Sequence, residues 1–424
     1  MKSITPTQID VVTATSKETP SETNHGGIFA IWNLWNQFHI SKLLENANIK
    51  KRSGEPLSKI YFSMATKGLT EQEYTSELVR ETKRDPGLSS FYEETPHNST
   101  FYRNIIRPTL EQIDCFFTNF VSELQNKQRL KASQDGILIF DATTHPVRGA
   151  EEHSLARYVY DSKIDGPIWG YSNCVLLYSN LDHTVHYPTD FVLQEDGRTV
   201  LLQMMEKSWE RLGVEVRRVA FDGGLFSKDF YSELDENQIL FYTKGRYGVY
   251  YDHEAEKLKL DKLYEQIPEQ EFKNELKATE RFVNWQGYDI RIRMIFVKKE
   301  KDEKGYFVVL TNDLESPIGE VLDVWEARSY IEHTFKEEKQ YLGLGDFPCG
   351  NYHGIIMYIA LVFIIYTMLI AMKLYSGKFV KRSIKTIREF FIQARATVKI
   401  YLEKIKVLLH DMEDLIPLFH LNVT

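Results

Sequence analysis

The sequence predicts an α/β protein, with a mixed sheet and flanking helices between a helical amino-terminal domain and a helical carboxyl-terminal tail. Gly136–Asp141 is a short apolar run that ends in an acid, and Val216–Phe221 is a second predicted strand that is followed by Asp222, which is typical of strands that reach the ligand-binding edge of an α/β sheet. Helical segments lie between and after such strands, and a charged stretch of alternating pattern precedes a later helix. This order favours a strand-and-helix core that carries a β-rich insertion.

Composition and periodicity divide the chain into six regions. They are a disordered tail (1–25), a helical domain (26–130), the first part of the α/β domain (131–244), a β insertion subdomain (245–311), the second part of the α/β domain (312–374) and a basic amphipathic helical tail (375–424). The first region is rich in Ser and Thr and has no apolar run, so we expect disorder and no signal peptide there.

Local patterns predict the elements of the first two folded regions. Apolar residues recur at helical spacing in Ile28–Leu44, and Pro56 precedes a second apolar helix, Leu57–Leu69. Beyond Asp141 we expect strands and helices in alternation, which are strands Asn173–Tyr178, Val185–Leu193 and Ile239–Thr243, and helices Thr199–Leu212 and Phe226–Leu234. This alternation is the basis for predicting an α/β domain.

The insertion is predicted to be β-rich and the region after it helical. Arg281–Gly287 and Asp289–Val297 alternate about a turn at Gln286-Gly287, which predicts a hairpin, and Tyr306–Leu310 is the next strand. Ile318–Tyr341 is predicted to be one helix.

A long apolar stretch, Gly354–Met372, has two interpretations. Its 19 residues carry no charge, and that length is sufficient to cross a membrane. The same stretch fits a core helix that is apolar on every side because other elements cover it. We favour the core helix, because the rest of the chain has no comparable stretch and fits a soluble protein.

The overall charge does not exclude a nucleic-acid partner. The formal net charge is −8, but Lys373–Lys406 carries ten basic and two acidic residues, so this segment is +8 and the rest of the chain is −16. DNA affinity depends on local basic surfaces rather than on the net charge. The three cysteines lie far apart, as in a reduced cytosolic protein, and no glycine-rich phosphate loop indicates ATP.

The two strand-end acids are the first candidates for chemistry. Asp141 and Asp222 are expected at the same edge of the sheet, where two carboxylates repel each other unless a cation lies between them. Oxygen ligands favour Mg²⁺ or Mn²⁺, and a third carboxylate would complete a two-metal site for phosphodiester chemistry. The alternative for either acid alone is an ordinary helix N-cap. Four scattered histidines are expected to be solvated: His145, His153, His183 and His186.

A third acid lies on a predicted helical face. Trp325, Arg328, Glu332 and Lys339 follow helical spacing and are expected to share that face. A carboxylate flanked by two cations and an aromatic ring suits a metal–phosphate site, because Arg and Lys bind phosphate oxygens while the acid holds the metal. The alternative is a surface helix with ordinary ion pairs.

The spacing of these four residues resembles that of DDE transposases of the insertion-sequence-four type. Their third acid lies in a signature of Tyr, two residues, Arg, three residues, Glu, six residues and Lys; here Trp325 replaces the Tyr and every step matches. Gln340–Phe347, Tyr187–Phe191 and Phe221–Phe226 are also similar to family segments, although the family usually has Arg where Gly223 stands.

The resemblance implies an RNase H-like fold in which Asp141, Asp222 and Glu332 are the catalytic residues. They would bind Mg²⁺ or Mn²⁺, with two ions in the site, and Arg328, Lys339 and Trp325 would contact DNA. The resemblance also implies cut-and-paste transposition: cleavage at the transposon ends, a hairpin intermediate and strand transfer into target DNA.

The resemblance further implies double-stranded DNA as partner and a homodimer assembled on two DNA ends, in the bacterial cytoplasm with the nucleoid and without a membrane. Region 26–130 would bind DNA ends, or is an ordinary helical bundle. Trp285 would stack on a flipped base of the DNA hairpin, or fills the core of the β-hairpin. Alternatives for the whole chain are a catalytically silent DNA-binding relic, a metal nuclease without strand transfer, and a membrane-anchored protein that uses 354–372.

Overall fold

The computed structural model describes residues 21–375, 398–401 and 406–408, except 52, 148–154, 162–163, 183, 194, 226, 247–248, 254–255, 285–289 and 300–304. The described residues divide into two compact units. The first contains those of 1–131, 144–171 and 334–424, and the second contains those of 132–143 and 172–333.

Helices dominate the first unit, so the helical character predicted for the amino-terminal domain is confirmed. A short strand precedes seven helices, which are β1 (Ser21–Thr23), α1 (Ile28–Gln37), α2 (Ile40–Asn46), α3 (Leu57–Ala65), α4 (Thr75–Arg84), α5 (Pro86–Ser89), α6 (Asn98–Ile106) and α7 (Leu110–Leu124). Aromatic side chains such as Trp35, Phe62 and Phe120 are buried between them. Their burial gives the unit its apolar core.

The elements that follow form a mixed sheet with helices. They are β2 (Ile137–Pro146), β3 (Arg157–Asp161), β4 (Gly166–Ser179), β5 (His186–Leu193), α8 (Gly197–Leu212), β6 (Arg218–Phe221), α9 (Lys228–Glu236) and β7 (Leu240–Lys244). Strand β6 is parallel to both β2 and β7, whereas β4 is antiparallel to β3 and β5. The strands that carry Asp141 and precede Asp222 are therefore neighbours, as the RNase H-like fold requires.

The β-rich insertion extends the same sheet. Its elements are β8 (Tyr250–His253), β9 (Glu256–Lys259), α10 (Leu260–Glu265), β10 (Ala278–Asn284), β11 (Arg291–Lys298) and β12 (Tyr306–Thr311), and the strand order continues from β7 as β12-β11-β10-β8-β9. The predicted hairpin is confirmed, with Asn284 of β10 opposite Arg291 of β11. Trp285, which follows β10 in the sequence, lies outside the described residues.

Two helices, α11 (Ile318–Glu326) and α12 (Ser329–Tyr341), replace the single helix predicted over 318–341. The expectation of one continuous helical face is therefore wrong at 327–328. The Arg328 N–H donates to Trp325 O at 3.1 Å and the Tyr330 N–H to Ala327 O at 3.0 Å. These three-residue bonds tighten the turn, which breaks the α-helical ladder.

Helix α13 (Tyr352–Tyr375) confirms the core-helix interpretation of the long apolar stretch. It packs against α1, α3, α6 and α7 of the first unit. Among the described residues it is the one helix long and apolar enough to cross a membrane, and 94% of its most apolar window is buried inside the protein. Neighbouring helices explain why it is apolar on every side.

The described parts of the carboxyl-terminal tail are extended. Strands β13 (Val398–Tyr401) and β14 (Lys406–Leu408) form an antiparallel sheet with β1 in the order β1-β13-β14. The helix predicted for the tail is therefore wrong in these segments, because Val398-Lys-Ile-Tyr alternates apolar and polar residues as a strand does. The rest of the predicted tail, and residues 1–20, lie outside the described residues.

Candidate active site

Strands β2 and β6 bring Asp141 and Asp222 side by side. The strands are parallel, and Phe140 pairs with Phe221, so the acid after each Phe lies at the same level of two neighbouring strands. Such strands are about 4.8 Å apart. Both phenylalanines are buried, whereas Asp141 is half-buried and Asp222 is exposed. The two acids therefore mark the point where the core of the sheet meets its surface.

Only one of the two acids lies at a strand end. Strand β6 ends at Phe221, and Asp222 opens a tight turn in which the Leu225 N–H donates to its carbonyl at 3.3 Å. Strand β2 continues past Asp141 to Pro146, so the predicted end at Asp141 is wrong. The residues that follow include two β-branched threonines, which favour extended backbone.

Gly223 follows the second acid where there is no room for a side chain. A Cβ atom at this position would lie 2.7 Å from the carbonyl oxygen of Lys244. That separation is shorter than a carbon–oxygen contact allows, so any larger residue requires a backbone shift. The close approach of Lys244 therefore favours glycine at position 223.

Glu332 lies in the first turn of α12 and is held by Arg328. The Arg328 Nη1 atom is 2.6 Å from Glu332 Oε1, and the guanidinium lies 6.0 Å from the centre of the Trp325 ring. Trp325 in turn stacks on Phe307 of β12, with ring centres 5.1 Å apart. Three of the four residues in the predicted face therefore form one chain of contacts, despite the break between α11 and α12.

The electrostatics of Asp141 connect the three acids. Burial raises the pKa of Asp141 to about 6, while a hydrogen bond from the Ala142 N–H and the charge of Arg328 oppose this rise. The charges of Asp222 and Glu332 raise the pKa further. Asp222, Glu332 and Arg328 therefore all lie within electrostatic reach of Asp141.

This donor set suits a divalent cation. Three carboxylates supply oxygen ligands, and a cation would relieve the repulsion that raises the pKa of Asp141. A tighter group elsewhere in the described chain, His25, Glu81 and Asp85, has possible ligand atoms within 4.8 Å of one another. There, however, the Asp85 carboxylate accepts hydrogen bonds from Thr23, Asn24 and Leu88 and caps α5. We interpret that group as structural.

Lys339 and Trp285, the remaining predicted DNA contacts, are not placed beside the acids by any described contact. Lys339 Nζ donates to Thr144 O at 2.8 Å, which anchors the backbone of β2 within the first unit. Trp285 lies outside the described residues.

Sequence reasoning missed several buried polar groups. His145 and His186 are 1% and 8% exposed, so the expectation of solvated histidines is wrong for both. The Asp190 carboxylate forms a buried ion pair with Arg211 at 2.6 Å. An acid within the apolar strand Val185–Leu193 was the available signal, because a buried carboxylate requires a partner. His153 and His183 lie outside the described residues.

A family model for the transposase DDE domain matches residues 132–368, which is more than half of the 424-residue chain. The matched range contains Asp141, Asp222 and Glu332 together with the entire second unit. No curated protein matches the chain closely enough to count as a relative. With its mixed sheet and its neighbouring acids, the chain belongs to the transposase DDE domain family.

Proposed function

We propose that this chain is the transposase of a bacterial insertion sequence of the insertion-sequence-four type. It would cleave DNA at the ends of the element and join the freed ends to target DNA, by a cut-and-paste route with a hairpin intermediate. The observation that carries the proposal is geometric: Asp141 and Asp222 follow paired phenylalanines on two neighbouring parallel strands, and Glu332, which is bound by Arg328, affects the pKa of Asp141. Family membership supplies the reaction class.

Asp141, Asp222 and Glu332 would hold Mg²⁺ or Mn²⁺, with two ions sharing the carboxylates. Bound there, the ions would activate the attacking oxygen and neutralise the charge on the leaving oxygen of an in-line phosphoryl displacement. One site would serve every step, because water and the freed 3′ hydroxyl are successive nucleophiles in the same kind of displacement.

The cationic side chains would position the acids and the DNA. Arg328 holds Glu332 with one nitrogen, and its guanidinium has further N–H groups that would bind phosphate oxygens. Lys339 would contribute a phosphate contact in addition to its bond with Thr144 O. The Trp325 ring would hold the Arg328 guanidinium in position through a cation–π contact, and Trp285 would stack on a flipped base.

The partners follow from the same reaction. Double-stranded DNA would be bound by two copies of the chain, one for each end of the element, in the bacterial cytoplasm. The helices of the first unit would bind the DNA ends, since Arg103 and Arg107 are exposed on and just after α6.

The test is cleavage of a labelled duplex that carries the end of the element, with and without Mg²⁺. Glu332→Gln removes a ligand charge with little change in shape, and we expect cleavage to fall by about 100-fold or more while DNA binding is retained. Glu326→Gln, an exposed acid of α11, is the matched control and should cleave like wild type.

Equal cleavage by wild type and Glu332→Gln would eliminate Glu332 as a catalytic residue. Binding without cleavage by either protein would favour a silent DNA-binding relic. Cleavage without joining to target DNA would indicate a simple nuclease.

A further inference from the structure

The β3–β4 hairpin, formed by β3 and the first residues of β4 in the first unit, has an aromatic surface. Tyr158 and Tyr160 are 72% and 60% exposed. They lie on the same face of β3, because alternate residues of a strand point the same way. Tyr158 pairs across the hairpin with Trp169, and their rings are 5.0 Å apart. Two further exposed apolar side chains, Leu155 and Ile164, flank β3.

This concentration of exposed apolar side chains is local. Of the ten large hydrophobic side chains that are exposed among the described residues, four lie between positions 155 and 164. Isolated exposed apolar residues are common on soluble proteins, but a contiguous group marks an interaction surface.

Strand β3 is also at an edge. In the order of the described strands it stands at one end of the large sheet, with β4 as its neighbour. Edge strands are templates for pairing with another strand, and proteins usually protect them with charge, proline or a bulge. An edge strand with two exposed tyrosines is therefore suited to receive a strand of a partner.

The sequence of β3 is complementary to itself when two copies run antiparallel. The strand reads Arg157-Tyr158-Val159-Tyr160-Asp161. About a twofold axis at Val159, Arg157 of one copy lies opposite Asp161 of the other, and Tyr158 lies opposite Tyr160. Opposite charges and aromatic pairs directly across strands are stabilising. The pairing is isologous, as expected of a homodimer.

We propose that β3 is the docking site for a second copy of this chain, through antiparallel pairing of two β3 strands centred on Val159. A second copy fits better than DNA, because segment 157–165 has two basic residues (Arg157 and Lys163) and two acidic ones (Asp161 and Asp165), whereas DNA binding needs an excess of positive charge. Such a docking site would hold two copies of the chain together on two DNA ends, and this role rests on the proposed function. The pairing itself is measurable without DNA.

The experiment is sedimentation equilibrium of the full chain without DNA, using charge reversals. In a dimer of either single variant, Arg157→Asp or Asp161→Arg, positions 157 and 161 carry like charges, and these positions face each other in both symmetry-related pairs. Each variant should therefore weaken self-association by about tenfold or more. An equimolar mixture of the two variants should associate like wild type, because each strand then meets opposite charges. The double variant Arg157→Asp/Asp161→Arg should also associate like wild type.

Two controls isolate the effect. Arg80→Asp reverses an exposed charge of α4 and should leave self-association unchanged. Glu332→Gln should associate like wild type even where it does not cleave, so failure of the proposed reaction and failure of the docking site are distinguishable. Tyr158→Ser/Tyr160→Ser should weaken association without any change of charge.

A wild-type chain that stays monomeric at all concentrations would overturn the proposal. So would single reversals that associate normally, or a mixture that fails to recover. If Arg157→Asp lowers DNA affinity and Asp161→Arg raises it while self-association is unchanged, the surface binds DNA and not a second copy.

Discussion

The half-buried carboxylate of Asp141 is under electrostatic strain when no cation is bound. Its surroundings combine burial with two further acids, and only the Ala142 N–H and Arg328 offset them. The pKa of Asp141 is about 6, above its ordinary value of 3.8. Like charges gathered in this way are typical of sites that bind ligand or metal rather than of sites that stabilise a fold.

We expect Asp141→Asn to stabilise the metal-free protein at pH 8. Because the folded-state pKa is raised, the proton on Asp141 stabilises the fold below about pH 4, and this contribution is lost as the pH rises through about 6. The shift corresponds to at most about 3 kcal/mol at alkaline pH. The free energy of unfolding would be measured in EDTA at pH 5 and pH 8.

Asp323→Asn, at an exposed position of α11, is the control and should change neither value. If wild type and Asp141→Asn have the same difference in stability between the two pH values, Asp141 does not carry the raised pKa.

Trp325, one of the four residues of the predicted helical face, is held in position by contacts of its ring. Its ring stacks on Phe307 and makes a cation–π contact with the Arg328 guanidinium. Both contacts need an aromatic face and neither needs a phenol hydroxyl. The contacts of Trp325 with Phe307 and Arg328 therefore require an aromatic ring at position 325 but not a particular one.

Among the elements, the buried strands could be predicted from the sequence and the helix break could not. The run before Asp141 is buried and contains no polar residue, and three buried apolar residues directly precede Asp222, so both strands are recognisable. The segment 318–341 has neither proline nor an internal glycine near 327, so local propensity predicts one helix. The break has no signal in the local sequence. It lies beside Trp325, which stacks on Phe307, and Arg328, which pairs with Glu332.

Strand β3 was missed for a related reason. Of its five residues only Val159 is buried, so it has no apolar face of the kind that predicts a strand. The pairing of β2 with β6 was likewise expected from the family resemblance and not from local pattern, because register depends on residues some 80 positions apart. The candidate acids could be found from the sequence, because each is recognisable from its residue type and from the residues next to it in the chain.

Two acids of helix α12 lie in contrasting surroundings, Glu332 in its first turn and Glu338 near its end. Glu332 is exposed, whereas Glu338 is completely buried and neither of its carboxylate oxygens has a hydrogen-bond partner among the described residues. Burial, together with the neighbouring Glu337, raises the pKa of Glu338 well above its ordinary value. Glu338 therefore holds its proton more tightly in the folded protein than in the unfolded chain.

We expect Glu338→Gln to remove part of the pH dependence of stability. The proton on Glu338 contributes stability that is present at acidic pH and is lost as the pH rises through the raised folded-state pKa. Wild type should lose more stability than Glu338→Gln as the pH rises above the ordinary glutamate pKa of 4.5, as measured by chemical denaturation over a series of pH values. Glu326→Gln should follow wild type, and a Glu338→Gln curve parallel to that of wild type would contradict the raised pKa of Glu338.

At the scale of the whole molecule, the chain crosses between its units several times. The first unit combines amino-terminal helices, the β3–β4 hairpin and α13, although α13 follows the second unit in the sequence. The family match, 132–368, includes most of α13. The apolar helix α13 thus packs against helices from the opposite end of the sequence. For this reason the sequence around α13 does not indicate which elements cover it.

The core role of α13 leads to the last prediction. Leu361 is fully buried at the middle of the helix, so Leu361→Ala should lower the free energy of unfolding by about 2–5 kcal/mol through the cavity it leaves. Leu374→Ala, at a half-buried position near the end of α13, should cost less. Wild-type protein should stay in the supernatant after high-speed centrifugation without detergent. A helix that crossed a membrane would instead bring the chain into the pellet, and Leu361→Ala would change lipid contacts with little effect on stability.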